Sequence, residues 1–169
     1  MGLFDGRKAR KHHEAGLAAL GRSDYAVAIR ELQSATAYRP RNATMQHDYG
    51  VALMAAADFR RTGRDEATHA EHVYELATEA LRALTAALRL QPQFPEAHND
   101  RGRALVKLDR LPEAEDAFQT ALGQRASYRQ AAENLGWLRS QMAILETSTE
   151  EGADNEVMQA VRTRALQQD

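Results

Sequence analysis

A fixed spacing between small residues places the strongest constraint on the fold of this chain. Gly16 and Gly50 lie 34 residues apart, and Gly102 and Gly136 repeat that interval. Alanines recur at fixed distances after these glycines, at Ala28, Ala35, Ala114 and Ala121. A hairpin of two helices cannot cover its own apolar face, so neighbouring hairpins stack, with small residues where backbones approach closely. The spacing therefore predicts an array of stacked helical hairpins.

Composition agrees with an all-α protein. The 169 residues have a hydrophobic content of 43%, but only 6% are aromatic and four are proline. Alanine and leucine dominate, and both favour helix. The absence of cysteine excludes disulfides, thiolate zinc sites and thiol catalysis, and it fits a reducing compartment. We expect one compact repeat domain in the cytoplasm.

Charge and hydropathy name no partner. The formal net charge of -2 gives no global attraction to nucleic acid or to an anionic membrane. No stretch reaches the roughly 18 apolar residues of a membrane span, and the N-terminus lacks the apolar core of a signal peptide. Arg7, Lys8, Arg10 and Lys11 form a basic cluster without interleaved aromatic residues, so we expect no nucleic-acid binding.

The repeat units resemble those of the tetratricopeptide repeat (TPR) family, whose unit is a helix-turn-helix of 34 residues. The first unit matches the family pattern at Gly16, Tyr25, Ala28, Leu32, Ala35 and Pro40. The third matches at Gly102, Ala114, Phe118 and Ala121. The tryptophan of the family pattern is replaced by His12, Gln46, His98 and Ala132. The resemblance implies a TPR-type α-solenoid of about three repeats plus a capping helix.

The same positions give the domain boundaries. A basic segment, 1-8, precedes a TPR domain over 9-147, and a linker with a short amphipathic helix follows over 148-169. Within the domain we predict three repeats and a capping helix, at 9-42, 43-94, 95-128 and 129-147.

The second repeat contains an insertion. Gly50 and Gly102 are 52 residues apart where 34 are expected, and the same excess separates Ala28 from Ala80. Eighteen extra residues therefore lie between Gly50 and Ala80. We expect them to lengthen both helices of this hairpin about equally, with a turn at Gly63.

The inserted stretch contains His69, His72 and Glu75, which share a helical face. A metal site would need another ligand, and the opposite arm offers Asp58. Zinc-binding helices normally show histidines at i and i+4, whereas these are at i and i+3. We therefore predict a polar contact surface and no metal, with a metal-binding protein as a minor alternative.

The family resemblance also implies a concave groove lined by the first helix of each repeat. The carried-over positions that we single out are His13, Leu17, His47, Asp48, Val51, Met54, Glu96, Asn99, Asp100, Arg103 and Trp137. A Lys, Asn and Arg clamp for a peptide carboxylate, known in the family, is absent. The positions matching it hold His13, Leu17, Asp48, Glu96 and Asp100.

Two uses of this groove remain open. Asp48, Glu96 and Asp100 predict an acidic strip beside an apolar lane of Leu17, Val51 and Met54, suited to a peptide with Lys or Arg. The alternative is a solvated groove without a ligand. Trp137, the only tryptophan, is either a binding anchor or is covered by the chain's own tail.

No phosphate loop, nucleophile elbow or catalytic carboxylate pair is present in a suitable context, so we expect no enzyme activity and no cofactor. The sequence favours a protein-protein interaction adaptor that binds a peptide or partner protein. A small TPR chaperone for a secretion or assembly client is the main alternative. A homodimer through the hairpin or the C-terminal helix also stays open.

Overall fold

The computed structural model describes residues 3-59 and 66-165, with side chains described for 5-59 and 69-147. These ranges contain helices and no strand, which confirms the all-α prediction. The helices are α1 (Leu3–Gly21), α2 (Tyr25–Tyr38), α3 (Ala43–Asp58), α4 (Glu66–Leu90), α5 (Pro95–Lys107), α6 (Leu111–Gln124) and α7 (Arg129–Ala165).

The helices pack as three hairpins and a final helix. The most extensive contacts join α1 to α2, α3 to α4, and α5 to α6, and each hairpin packs on the next through α2 with α3, α4 with α5, and α6 with α7. The odd-numbered helices also touch in series, α1 with α3, α3 with α5, and α5 with α7. The odd helices therefore form one continuous face of the array, as a TPR solenoid requires.

Short signals set the helix ends. Val27 N–H donates to the Asp24 carboxylate at 3.3 Å, and Met45 N–H donates to the Asn42 side-chain oxygen at 3.0 Å, so both side chains cap a helix N-terminus. The hairpin turns of the first and third repeats each place one residue in the left-handed region, Ser23 at φ 60° and Asp109 at φ 57°. These turns are equivalent, which confirms that the repeats share one local geometry.

A close contact inside each hairpin explains the repeated glycine. A Cβ built on Gly16 would lie 2.6 Å from Leu32 Cγ, and one on Gly50 would lie 2.7 Å from Leu84 Cγ. A Cβ on Gly102 would lie 2.5 Å from the Phe118 ring. Because carbon atoms do not approach so closely, a side chain here would force the opposing side chain, or the helix that carries it, to shift.

The second hairpin is lengthened, as predicted, but its arms are not lengthened equally. α4 has 25 residues where α6 has 14, whereas α3 has 16 where α5 has 13. The expectation of two equal arms is therefore wrong. The extra turns of α4 are held because Val73 and Leu76 pack against the core of the first two hairpins. The predicted turn at Gly63 lies outside the described residues.

The end of the chain also differs from expectation. In place of a capping helix, a linker and a short helix, α7 runs without a break over 37 residues. The segment after Thr147 contains one glycine, no proline and many strong helix formers, so local propensity favours continuation. Among the described side chains of α7, which are those of residues 129–147, the buried ones are Ala131, Leu135 and Leu138.

No helix within the described ranges is long and apolar enough to cross a membrane.

The glycine contacts predict opposite effects at two equivalent positions. Gly102→Ala should lower the free energy of unfolding by about 1–3 kcal/mol, because the new methyl group overlaps the Phe118 ring. Gly136→Ala should raise it by about 0.5–1 kcal/mol, because no atom lies within 4 Å of the new Cβ and alanine favours helix. Urea denaturation followed by circular dichroism measures both. Equal effects at the two positions would contradict the proposed role of the glycine contact.

Candidate functional site

The candidate site is the face formed by α1, α3, α5 and the start of α7, which we call the groove. The groove residues predicted from the sequence lie on these four helices, which touch in series. Their environments differ widely, however. Leu17 is 40% exposed and Trp137 53% exposed, whereas Met54 is 1% exposed and belongs to the core. The predicted role of Met54 in an apolar lane is therefore wrong.

A series of hydrogen bonds crosses the groove from one repeat to the next. His13 Nε2 lies 2.6 Å from Asp48 Oδ2, and His47 Nε2 lies 2.9 Å from Asp100 Oδ2. The third bond runs from the amide of Asn134, which donates to Asn99 Oδ1 at 2.8 Å. In each case the fifth residue of one repeat contacts the sixth residue of the next. We call these three contacts the polar ladder.

His47 is the central residue of the polar ladder. Its Nδ1 also lies 3.5 Å from Asp48 Oδ1, and its ring packs on Phe94 with centroids 4.7 Å apart. Burial opposes the charged imidazole, but hydrogen bonds to Asp100 and Asp48 outweigh that cost and raise the pKa of His47 to about 9. Burial likewise opposes the charged Asp48, yet His47 and His13 lower the pKa of its carboxyl group. The groove therefore holds a charged imidazole between two carboxylates near neutral pH.

The acids predicted to form a free strip are all paired within the protein. Asp48 and Asp100 belong to the polar ladder, and Arg103 adds a second contact to Asp100 at 3.3 Å. Glu96 pairs with Arg125 at 2.7 Å. These carboxylates are committed to neighbouring repeats, so the prediction of an acidic strip open to a basic peptide has no support in the geometry.

A small pocket lies at the α7 end of the groove. It has a volume of about 160 Å³, and its walls include Val106, Phe118, Asn134 and Trp137. Arg103 and Lys107 border it, and each forms an ion pair with Asp58 at 2.7 Å. The pocket thus combines an exposed indole, an apolar floor and two cations that share one carboxylate.

Asp58 lies in this candidate site but is not among the groove residues predicted from the sequence, which names it only as a potential metal ligand. It follows the family's groove positions on α3. In the structure the Asp58 carboxylate accepts a hydrogen bond from Arg103 of α5, which lies 45 residues later in the chain. Arg103 and Lys107 lie one helical turn apart on α5, and their charge is opposite to that of Asp58. This charge complementarity was the signal in the sequence that could have predicted the contact.

The extended hairpin forms a separate surface. His72 Nδ1 lies 3.9 Å from Glu75 Oε2, and His69 and His72 border a cleft of about 490 Å³. The cleft is lined elsewhere by Leu76 and by Tyr25 and Phe59, whose rings lie 5.3 Å apart. Within the part of the chain with described side chains, no three His, Asp or Glu residues cluster as a metal site would. The alternative of a metal site on His69 and His72 thus gains no support.

Comparison with known proteins decides the family. The model of a family described as tetratricopeptide repeat matches residues 13–64 and 75–132, more than half of the chain. This chain belongs to the tetratricopeptide repeat family. The gap between the two TPR matches falls within the insertion of the second repeat. The resemblance inferred from the repeat spacing is therefore confirmed.

Solved TPR domains share the fold at low sequence identity. The first TPR domain of human RPAP3 matches with a TM-score of 0.69 and 18% identity, over 85% of this chain and 98% of that one. The TPR domain of Arabidopsis OM64 matches with a TM-score of 0.68 and 20% identity, over 80% and 98% of the two chains. The first TPR of Spaghetti (RPAP3), bound to the HSP90 peptide SRMEEVD, matches with a TM-score of 0.68 and 18% identity, over 82% and 95%.

A comparison with curated proteins finds no match.

The raised pKa of His47 predicts a loss of stability at alkaline pH. Because the folded pKa of about 9 exceeds the ordinary 6.5, protonated His47 stabilises the fold fully below pH 6.5, and that contribution is lost as the pH rises through 9. The loss should be on the order of 2–4 kcal/mol. We expect urea denaturation from pH 6 to 10 to show this decline in the wild type but not in His47→Gln, which cannot titrate. Parallel pH profiles for the two proteins would refute the assignment.

Proposed function

We propose that this protein is a non-enzymatic adaptor that binds a peptide or partner protein in the groove. The observation that carries the proposal is the exposure of Trp137 beside a preformed pocket on the groove face. The Trp137 indole is 53% exposed, so much of its apolar surface contacts water. Exposed aromatic residues of this size are frequent anchors in protein interfaces. Membership of the TPR family supports the same class of function.

Apolar contact supplies most of the affinity in this proposal. Trp137 and Leu17 lie at opposite ends of the groove, with half-buried Val51 between them, so an extended segment that spans the groove contacts all three. The pocket of about 160 Å³ accommodates one side chain. Since the carboxylates of the polar ladder already have partners, they fix the groove's shape and contribute little to direct ligand binding.

Arg103 and Lys107 give the pocket a preference for a nearby carboxylate. Both cations share Asp58, and Arg103 also contacts Asp100, so Asp58 is the carboxylate partner of Lys107 among the described side chains. A ligand acid placed beside Trp137 contacts Lys107 without breaking the pair between Arg103 and Asp100. The RPAP3 domain bound to SRMEEVD also holds an acidic peptide. The clamp positions of this chain hold His13, Asp48 and Asp100, however, so the proposed contact uses different residues.

A chaperone for an insoluble client is a more specific form of the same groove binding. It adds the expectation that the client becomes soluble only when it is co-expressed with this protein. No contact in the groove distinguishes that role from a general adaptor.

Truncation of Trp137 tests the proposal. Peptides would be selected from a random display library on the wild-type protein, and their affinities measured by calorimetry. Trp137→Ala should weaken binding at least about tenfold, because a central aromatic anchor contributes more than about 1.4 kcal/mol. Since Trp137 is the only tryptophan, its fluorescence should also shift to shorter wavelength when a ligand covers it.

Tyr74→Ala is the matched control. Tyr74 is an aromatic residue of similar exposure, 59%, but it lies on α4 and not on a groove helix. Its truncation should leave the affinity unchanged. If Tyr74→Ala weakens binding as much as Trp137→Ala, or if neither does, the groove is not the binding site.

A further inference from the structure

Asp58 is an acid at a helix end that favours cations. It is the last residue of α3, and the last turn of that helix contains no Lys or Arg. The partial negative charge at a helix C-terminus repels a carboxylate and attracts a cation. The position of Asp58 on α3 is therefore unfavourable in itself, and its carboxylate depends on partners from another helix.

Two cations of α5 are those partners. Arg103 Nη2 donates to Asp58 Oδ2 at 2.7 Å, and Lys107 Nζ lies 2.7 Å from Asp58 Oδ1. The two carboxylate oxygens thus contact different cations, at distances typical of charge-assisted hydrogen bonds. One carboxylate therefore connects two positive charges between neighbouring helices of the groove.

The two cations depend on Asp58 to different degrees. Arg103 also contacts Asp100 at 3.3 Å, so it retains a carboxylate partner when Asp58 is replaced. Lys107 has Asp58 as its carboxylate partner among the described side chains. An ammonium group has three N–H donors and is able to contact a second acceptor. Lys107 is therefore the cation for which another carboxylate competes.

This competition takes place at the pocket beside Trp137. Asp58 and Lys107 both line that pocket, and among the described residues of its wall Asp58 is the one with a carboxylate. The side chain of Lys107 is 25% exposed and that of Asp58 is 43% exposed. Because the pair is partly solvated, its attraction is moderate, and a group that enters the pocket reaches both members.

A neutral and an acidic ligand meet this pair differently. A neutral segment beside Trp137 leaves the contact between Asp58 and Lys107 unchanged. A carboxylate in the same place is attracted by Lys107 and repelled by Asp58. Asp58 therefore lowers the affinity for an acidic segment and has little effect on the affinity for a neutral one.

We propose that Asp58 determines the specificity of the groove by competing with a ligand carboxylate for Lys107. With Asp58 in place, the groove accepts a peptide that carries either a neutral or an acidic residue next to the side chain in the pocket. Without it, the groove selects the acidic residue strongly. This inference rests on the proposed function, because it concerns the peptide that fills the pocket beside Trp137.

A glutamate scan of a bound peptide measures the competition. The tightest peptide selected on the wild-type protein is the probe, and each of its positions is replaced in turn by Glu and by Gln. Calorimetry gives the ratio of the two affinities at each position. Asp58→Asn should raise the Glu-to-Gln ratio about two- to fivefold at the position that reaches Lys107, with the Gln peptide bound as before. A ratio that is unchanged at every position would overturn the proposal.

Replacement of Lys107 identifies the cation that the two carboxylates share. In Lys107→Met the ratio should be close to one at that position, and adding Asp58→Asn should not raise it, because the shared group is gone. Asp58 retains Arg103 as a partner in this variant. A ratio that still rises in Lys107→Met/Asp58→Asn would show that Asp58 acts through its charge alone and would refute the competition.

Glu113→Gln is the matched control. It removes one negative charge from a residue of similar exposure, 47%, whose carboxylate pairs with Arg110 on α6 and not on a groove helix. It should leave every ratio unchanged, and circular dichroism checks that each variant is folded. If Asp58 only ties α3 to α5, Asp58→Asn will weaken the Glu and Gln peptides equally. If Trp137→Ala weakens binding of all probes while the ratio ignores Asp58→Asn, groove binding stands and the role of Asp58 is refuted.

Discussion

The polar ladder is the interaction on which the arrangement of the repeats depends. Each hairpin is closed by contact between a glycine and a large side chain, and apolar side chains pack between neighbouring hairpins. Apolar contact is non-directional, whereas a bond from the fifth residue of one repeat to the sixth of the next forms at a single register, so the ladder adds a directional constraint. His47 links two such bonds, since it contacts Asp100 and also approaches Asp48. The position of every groove residue follows from this register.

The polar ladder also determines what the groove can offer a ligand. A half-buried carboxylate is costly unless it is paired, and once it is paired it has little capacity left for a ligand. Asp48 and Asp100 therefore connect neighbouring repeats, although they face the proposed binding surface. The groups that retain capacity lie at the margins of the ladder, where Leu17, Trp137 and the two cations around Asp58 are found. In the proposed function, selectivity therefore rests on the ends of the groove.

The hairpins were predictable from the sequence because a contact between helices of one repeat recurs at a fixed interval. The polar ladder was also encoded, since its bonds span 35, 53 and 35 residues, one more than the repeat length with or without the insertion. A prediction that treats each acid separately does not use this spacing, and it therefore expects Asp48 and Asp100 to be free. The distribution of the insertion was not encoded, because a period fixes the total length and not the lengths of α3 and α4. Met54 was misplaced because a position carried over from the family pattern does not specify how deeply the side chain is buried, and Met54 lies in the core shared by the first two hairpins.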